Sequence, residues 1–304
     1  MKLPKLPDAD EKPKTLKQTI HASTPVGLTV LATLLAGLSS GEMTRSQYYR
    51  SLAVQAQAKA SDQWAYYQAK RSRSVEAGNA MDLLGVSSHP SALDKAKLLA
   101  AVTDADLRQT LDSRDAAPIF SEGAIKLPAL PEKPIADPLV QEVLAAVNGG
   151  KTEAEMAPKL RQISDDQMAA AEQSAQADLA AFDQSINPMS IALDRLHTTF
   201  DSGPMQSGVI AARLRFNMAR YDREAACNQL SAELFEVEVH RNGVESDRRR
   251  VRSSYFFYGM LISQAAVMIA TFSLAGQKPG ALWILAALTG AAAAMFGGYV
   301  YFSF

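Results

Sequence analysis

The sequence predicts an all-α membrane protein with three transmembrane helices, a long antiparallel cytoplasmic helical stalk and a small helical, Pro-rich distal insert. Three observations predict it. Stretches free of Asp, Glu, Lys and Arg lie at both ends of the chain, over 20–41 and again over 255–276 and 281–302. Between them run two long segments whose apolar residues recur every three or four positions, the period of an amphipathic helix. Alanine is abundant and short hairpin-turn signals are scarce, which disfavours strands.

Taken in order, residues 1–19 mix lysines, acids and prolines with little apolar content and read as a mobile tail. Residues 20–42 form the first transmembrane helix. It closes on Ser39, Ser40 and Gly41, the i,i+3 pair Glu42 and Arg45, and the aromatic pair Tyr48 and Tyr49. A signal peptide cut near Gly37-Leu38-Ser39 would have the same length. A translocated middle region, however, would contradict the arginines before Tyr255, so the segment is read as a retained span, with a half-inserted or re-entrant segment as the alternative because a full crossing puts the tail's lysines outside.

Residues 43–84 continue as the outgoing stalk helix, with Tyr49, Ala53, Ala56, Ala60, Trp64 and Tyr67 as its seam and a stop expected before Gly85. The insert, 85–206, divides into short helices at 91–102 and 104–111, the second capped by Thr103. A polyproline-type tether follows at 127–138, then helices at 139–147, 152–163 and 164–186.

Residues 207–252 form the returning helix, whose seam is Leu214, Met218, Tyr221, Ala225, Asn228, Ala232, Phe235 and Val239. Asn228 is its one polar member, a device that fixes register or helix number. Both limbs leave the same membrane face, so they should pack antiparallel.

Residues 253–304 form a transmembrane hairpin with spans at 255–276 and 281–302, each about 33 Å long at ~1.5 Å per residue. Tyr255, Phe256, Phe257 and Tyr258 mark one interface, with Trp283 after the turn and Tyr299, Tyr301 and Phe302 at the exit. Arg241, Arg248, Arg249, Arg250 and Arg252 against Lys278 alone in the turn place the upstream side in the cytoplasm. Arg248, Arg249, Arg250 and Arg252 also suit anionic lipid headgroups. Ala286, Gly290, Ala294 and Gly298 make a small-residue groove for a close helix partner, either the preceding span or another subunit. Gln264 places an amide within a span, where it must find a hydrogen bond inside protein.

The stretch Ala60-Ser61-Asp62-Gln63-Trp64-Ala65-Tyr66-Tyr67-Gln68-Ala69-Lys70, just after a first apolar segment, resembles a family of bacterial membrane proteins known only as a domain of unknown function. The resemblance implies one N-terminal span, a coiled coil and a two-span C-terminal hairpin in a bacterial inner membrane. It covers roughly 20–84 and 207–304, and it implies no chemistry.

The remaining sequence excludes more than it proposes. A formal net charge of -1 gives no basic face for nucleic acid. One cysteine, Cys227, rules out an internal disulfide framework; Arg223 one turn earlier favours its thiolate, but no histidine completes a nucleophile pair. Asn148-Gly149-Gly150-Lys151-Thr152 lacks the leading glycine and strand of a phosphate loop and reads as a turn with Thr152 as N-cap. His21, His89, His197 and His240 have no metal-ligand spacing. No cofactor is expected, and no enzyme.

Trp64, Tyr66, Tyr67, Asn228 and Phe235 are the candidate interaction residues of the stalk; Gln264, Gly290 and Gly298 are those of the spans. The reading is a membrane-anchored coiled-coil scaffold or assembly protein that associates with itself and with membrane lipids. The alternatives are a channel or transport accessory, and a supernumerary subunit of a larger membrane complex.

Overall fold

A computed structural model describes residues 16–120, 125, 127, 135–275 and 280–303. Among them there is no strand. The helices are α1 (Leu16–Ser88), α2 (Lys95–Ala101), α3 (Ala105–Asp112), a 3-10 segment (Arg114–Phe120), α4 (Pro138–Asn148), α5 (Glu153–Leu160), α6 (Asp165–Thr199), α7 (Gln206–Ala275) and α8 (Ala281–Ser303). α1, α7 and α8 are long and apolar enough to cross a membrane. The chain divides into two compact units, one from Met1–Ser51 with Asn242–Phe304 and one from Leu52–Arg241.

In the first unit the early part of α1, the late part of α7 and α8 pack together. Leu28 clusters with Ala266, Ala270 and Ala286, and Leu35 with Phe256 and Val300. Short polar side chains tie α1 to α7 in antiparallel register. Ser39 and Ser253 donate their hydroxyls to each other's carbonyls at 2.9 and 2.8 Å, and Ser246 donates to the Ser46 carbonyl at 2.9 Å. Ser263 donates to the carbonyl of Leu28 at 3.0 Å, and His21 bonds Ser273 at 3.1 Å. Other hydroxyls turn back on their own helix: Thr24, Thr29, Thr271 and Thr289 each donate to the carbonyl four residues earlier. That satisfies their donors within their own helix, and the Thr24 oxygen also accepts from the Trp283 indole N–H of α8 at 3.0 Å. The outward surface carries Val26, Val30, Leu34, Leu261, Met268, Phe272, Leu285, Leu288 and Met295, all exposed, as a lipid-facing surface requires.

In the second unit α7 lies between α1 and α6. Its faces bury Ala225, Ala232, Leu234, Phe235 and Val237. The α1 limb runs antiparallel to it, with Lys59 over Phe235, Lys70 paired with Glu224 and Ser74 donating to the carbonyl of Met218. α6 runs antiparallel on another side, fixed by the ion pairs Asp165–Arg241 and Asp194–Arg213. A second core joins α2, α3 and the 3-10 segment (Leu98, Val102, Leu107, Leu111, Ile119) to Phe182, Leu193 and Leu196 of α6 and Val209 and Phe216 of α7.

Several expected boundaries move. α1 already includes residues 16–19, placed in the tail by the sequence. It also runs through Gly85 to Ser88, and the chain turns only at His89, whose φ is 45°. One glycine costs a helix about 1 kcal/mol, whereas Pro90 disfavours helical backbone in the residue before it. The first short helix begins at Lys95 with Asp94 as its cap, not at 91. Asp104 rather than Thr103 caps α3, accepting from the backbone N–H groups of Asp106 and Leu107. The C-terminal end of α5 is Leu160, short of 163.

The larger correction is α6. It does not stop at 186 but continues through Pro188 to Thr199. A helix-interior proline costs about 3 kcal/mol. Burial of Met189, Ala192, Leu193 and Leu196 beyond it offsets that, at about 1.5–3 kcal/mol for each large side chain. The two-helix stalk is therefore a three-helix one over this stretch. α7 also passes unbroken from the returning limb into its apolar part. Most of the polyproline tether lies outside the described residues, as does the turn 277–279.

Candidate functional site

The α1 stretch Ala60–Lys70 presents two faces. Ala60, Trp64 and Tyr67 follow the seam toward α7, where Ala60 is fully buried. The Trp64 indole N–H donates to the Glu236 carboxylate at 2.8 Å, and its ring meets Tyr67 edge to face at 5.5 Å. Tyr66 falls off the seam and is 58% exposed.

Charged side chains brace the same region. Glu224, whose side chain is only 5% exposed, holds both Lys70 and Arg220. Lys70 and Arg73 lie over the Tyr221 ring at 5.5 and 5.9 Å. Lys59 lies over Phe235 at 5.1 Å.

Between α1 and α6, above α7, two adjoining cavities open. The smaller, about 280 Å³, is lined by Gln63, Tyr66, Glu172, Gln176, Asn228 and Phe235 among others. The larger, about 510 Å³, is lined by Tyr66, Lys70, Arg73, Asp183, Arg220 and Asn228 among others. Asn228 is 8% exposed and reaches both. Burial pushes the Glu172 carboxyl above the ordinary glutamate value, and the neighbouring Glu238 adds to the rise against a smaller opposing pull from Lys59. The Cys227 thiol goes the opposite way from the sequence expectation: burial outweighs Arg223 and pushes it up to about 11, so it is no nucleophile at neutral pH.

Five of the sequence candidates (Trp64, Tyr66, Tyr67, Asn228, Phe235) thus gather in the second unit. Those of the spans lie in the first. Gly290 is buried, and a Cβ there would collide with Leu28; at Gly297 a Cβ would come within 2.6 Å of Leu35. Gly298 has nothing within 4 Å of that position and Ala294 is exposed, so the close face is Ala286, Gly290, Ala293 and Gly297. Leucines of α1 fill this groove. Gln264 is exposed and makes no hydrogen bond among the described residues.

The four arginines divide. Arg249 and Arg252 both reach the Glu42 carboxylate, at 3.2 and 3.4 Å, and Arg252 donates to the Tyr301 carbonyl at 3.0 Å. Arg248 pairs with Glu245 at 3.7 Å, while Arg250 is exposed. Sequence reasoning placed Glu42 only in its local pair with Arg45 and missed Glu172, Glu224 and Glu236. Each also acts across to another helix far away in sequence, and that partner leaves no local pattern to read.

The architecture is that of an all-helical protein with three helices capable of spanning a membrane and an antiparallel helical bundle. Residues 23–124 match the family model of a domain of unknown function (DUF4337). The match contains Ala60–Lys70 and extends past His89-Pro90 through α2, α3 and the 3-10 segment, so it reaches beyond residue 84, where the resemblance was expected to break off. No curated protein and no solved structure matches the chain.

Proposed function

We infer that the chain is a non-enzymatic scaffold of a bacterial inner membrane, anchored by three spans with its bulk in the cytoplasm, and that it associates with copies of itself. The arginine bias around Arg248–Arg252 supports the orientation.

The observation that carries self-association is Gln264. Its amide sits on the outward face of the apolar part of α7, near exposed Leu261 and Met268, with no hydrogen bond to the described residues. Three-helix packing within one chain leaves it facing lipid, where an unpaired amide costs several kcal/mol. A second copy presenting the same glutamine across a two-fold axis satisfies both amides, worth about 1–2 kcal/mol for such a pair.

The test is particle mass in mild detergent. The native chain should run as more than one copy, and Gln264→Leu should shift the population toward one. A native chain that is monomeric at all concentrations overturns the reading.

A further inference from the structure

The two cavities around Asn228 lie apart from Gln264, and their lining has a chemistry of its own. Asn228 occupies a seam position where the heptad pattern favours an apolar side chain. The residue is 8% exposed, lines both cavities and makes no hydrogen bond among the described residues. Its donor and acceptor are therefore left for whatever occupies those cavities.

The surroundings narrow what that can be. Beside Asn228 the smaller cavity offers the Gln63 and Gln176 carboxamides and the Ser231 hydroxyl, none engaged with another described residue. Carboxamides present a donor and an acceptor side by side, the pattern that pairs with the edge of a planar heterocycle. The exposed Tyr66 ring and Leu179 border both cavities and supply the flat and apolar surfaces such a ring stacks on.

The larger cavity supplies charge. Glu224 is taken up by Lys70 and Arg220 together, which leaves a positive remainder. Arg73 adds to it, with the Tyr221 ring as neighbour and no carboxylate partner among the described residues; Asp183 opposes it. The larger volume falls within the range of small-molecule sites, about 300–1,000 Å³.

We propose that the space between α1, α6 and α7 around Asn228 binds a small organic anion of the mononucleotide class, its planar base at Asn228 and Tyr66 and its phosphate at Arg73, Lys70 and Arg220. Asn228 and Gln63 read the base edge. Arg73, the cation not tied to Glu224, meets the phosphate.

The test is calorimetric titration of the full chain in detergent with AMP, UMP and inorganic phosphate as probes. The expected result is saturable binding of at least one nucleotide, with phosphate alone weaker by about tenfold or more. Asn228→Leu and Arg73→Gln should each weaken nucleotide binding by about tenfold or more. Thermal unfolding of the same variants checks the fold: Asn228→Leu should melt at or above the native temperature, and if it does not fold, Gln63→Leu takes its place. Absence of saturable nucleotide binding overturns the proposal, as does phosphate binding as tightly as nucleotide or affinity unchanged in both variants. If Tyr66→Ala lowers particle mass and no nucleotide binds, the occupant is a second copy of the chain and the site is not a nucleotide site.

Discussion

Leu28 on α1 occupies the space that a side chain on Gly290 of α8 would need. The packing of the first unit turns on that fit, and Leu35 against Gly297 repeats it one heptad later. Gly290→Val and Gly297→Val should each destabilise the protein by about 1–3 kcal/mol, the usual penalty for overpacking. Gly298→Ala should change stability by no more than about 1 kcal/mol, in the stabilising direction, because alanine is the better helix former and the site is open. Thermal unfolding in one detergent compares all three. Equal losses at 290 and 298 would remove this account of the interface.

Ion pairs in the second unit should differ sharply in worth. Glu224→Ala strands Lys70 and Arg220 beside a buried site and should cost about 3 kcal/mol, toward the lower end for a broken buried pair because both cations keep some water. Asp222 pairs with Arg71 in the open at 2.8 Å, so Asp222→Ala should cost less than about 1 kcal/mol. Chemical denaturation of both variants measures the contrast.

The capping of α3 allows a cleaner comparison. Asp104→Ala removes an acceptor for two backbone N–H groups and should cost about 1 kcal/mol, while Thr103→Ala should stay within about 0.5 kcal/mol. The order of the two midpoints is the readout.

Glu172 gives a pH dependence with a defined sign. Its folded carboxyl titrates above the ordinary glutamate value of 4.5, so between that pH and the raised value the folded chain binds more protons than the unfolded one. The stabilisation is fully present below 4.5 and is lost as pH rises through the folded value. Glu172→Gln should therefore melt higher than the native chain at neutral pH, and the gap should close on acidification. Parallel melting curves across pH would show that Glu172 is not the group responsible.

What the sequence made legible follows from how local each cause is. The seams carrying Ala56, Ala60, Trp64 and Phe235 could be read because a repeat of three and four is written in neighbouring residues. The full length of α6 could not, since Pro188 is a local stop signal and the burial that overrides it comes from α2, α3 and α7. On α8 the faces through Gly298 and Gly297 are equally small, and only the leucines of α1 choose between them. Asn228 stood out as the one polar member of its seam. Glu172 and Glu224 did not, because a charge on a long helix reads as solvated until the opposite helix is known.

The serine pairs of the first unit carry a mechanical consequence. Ser39 and Ser46 are one heptad apart on α1, as are Ser246 and Ser253 on α7. A repeat of seven drifts only ~20° against an ideal helix, so both serine pairs stay on the facing sides of α1 and α7. Sliding one helix along the other would break every hydroxyl–carbonyl bond in the ladder at once, whereas turning the pair as one cable breaks none. Axial slip is therefore the deformation that this pair resists.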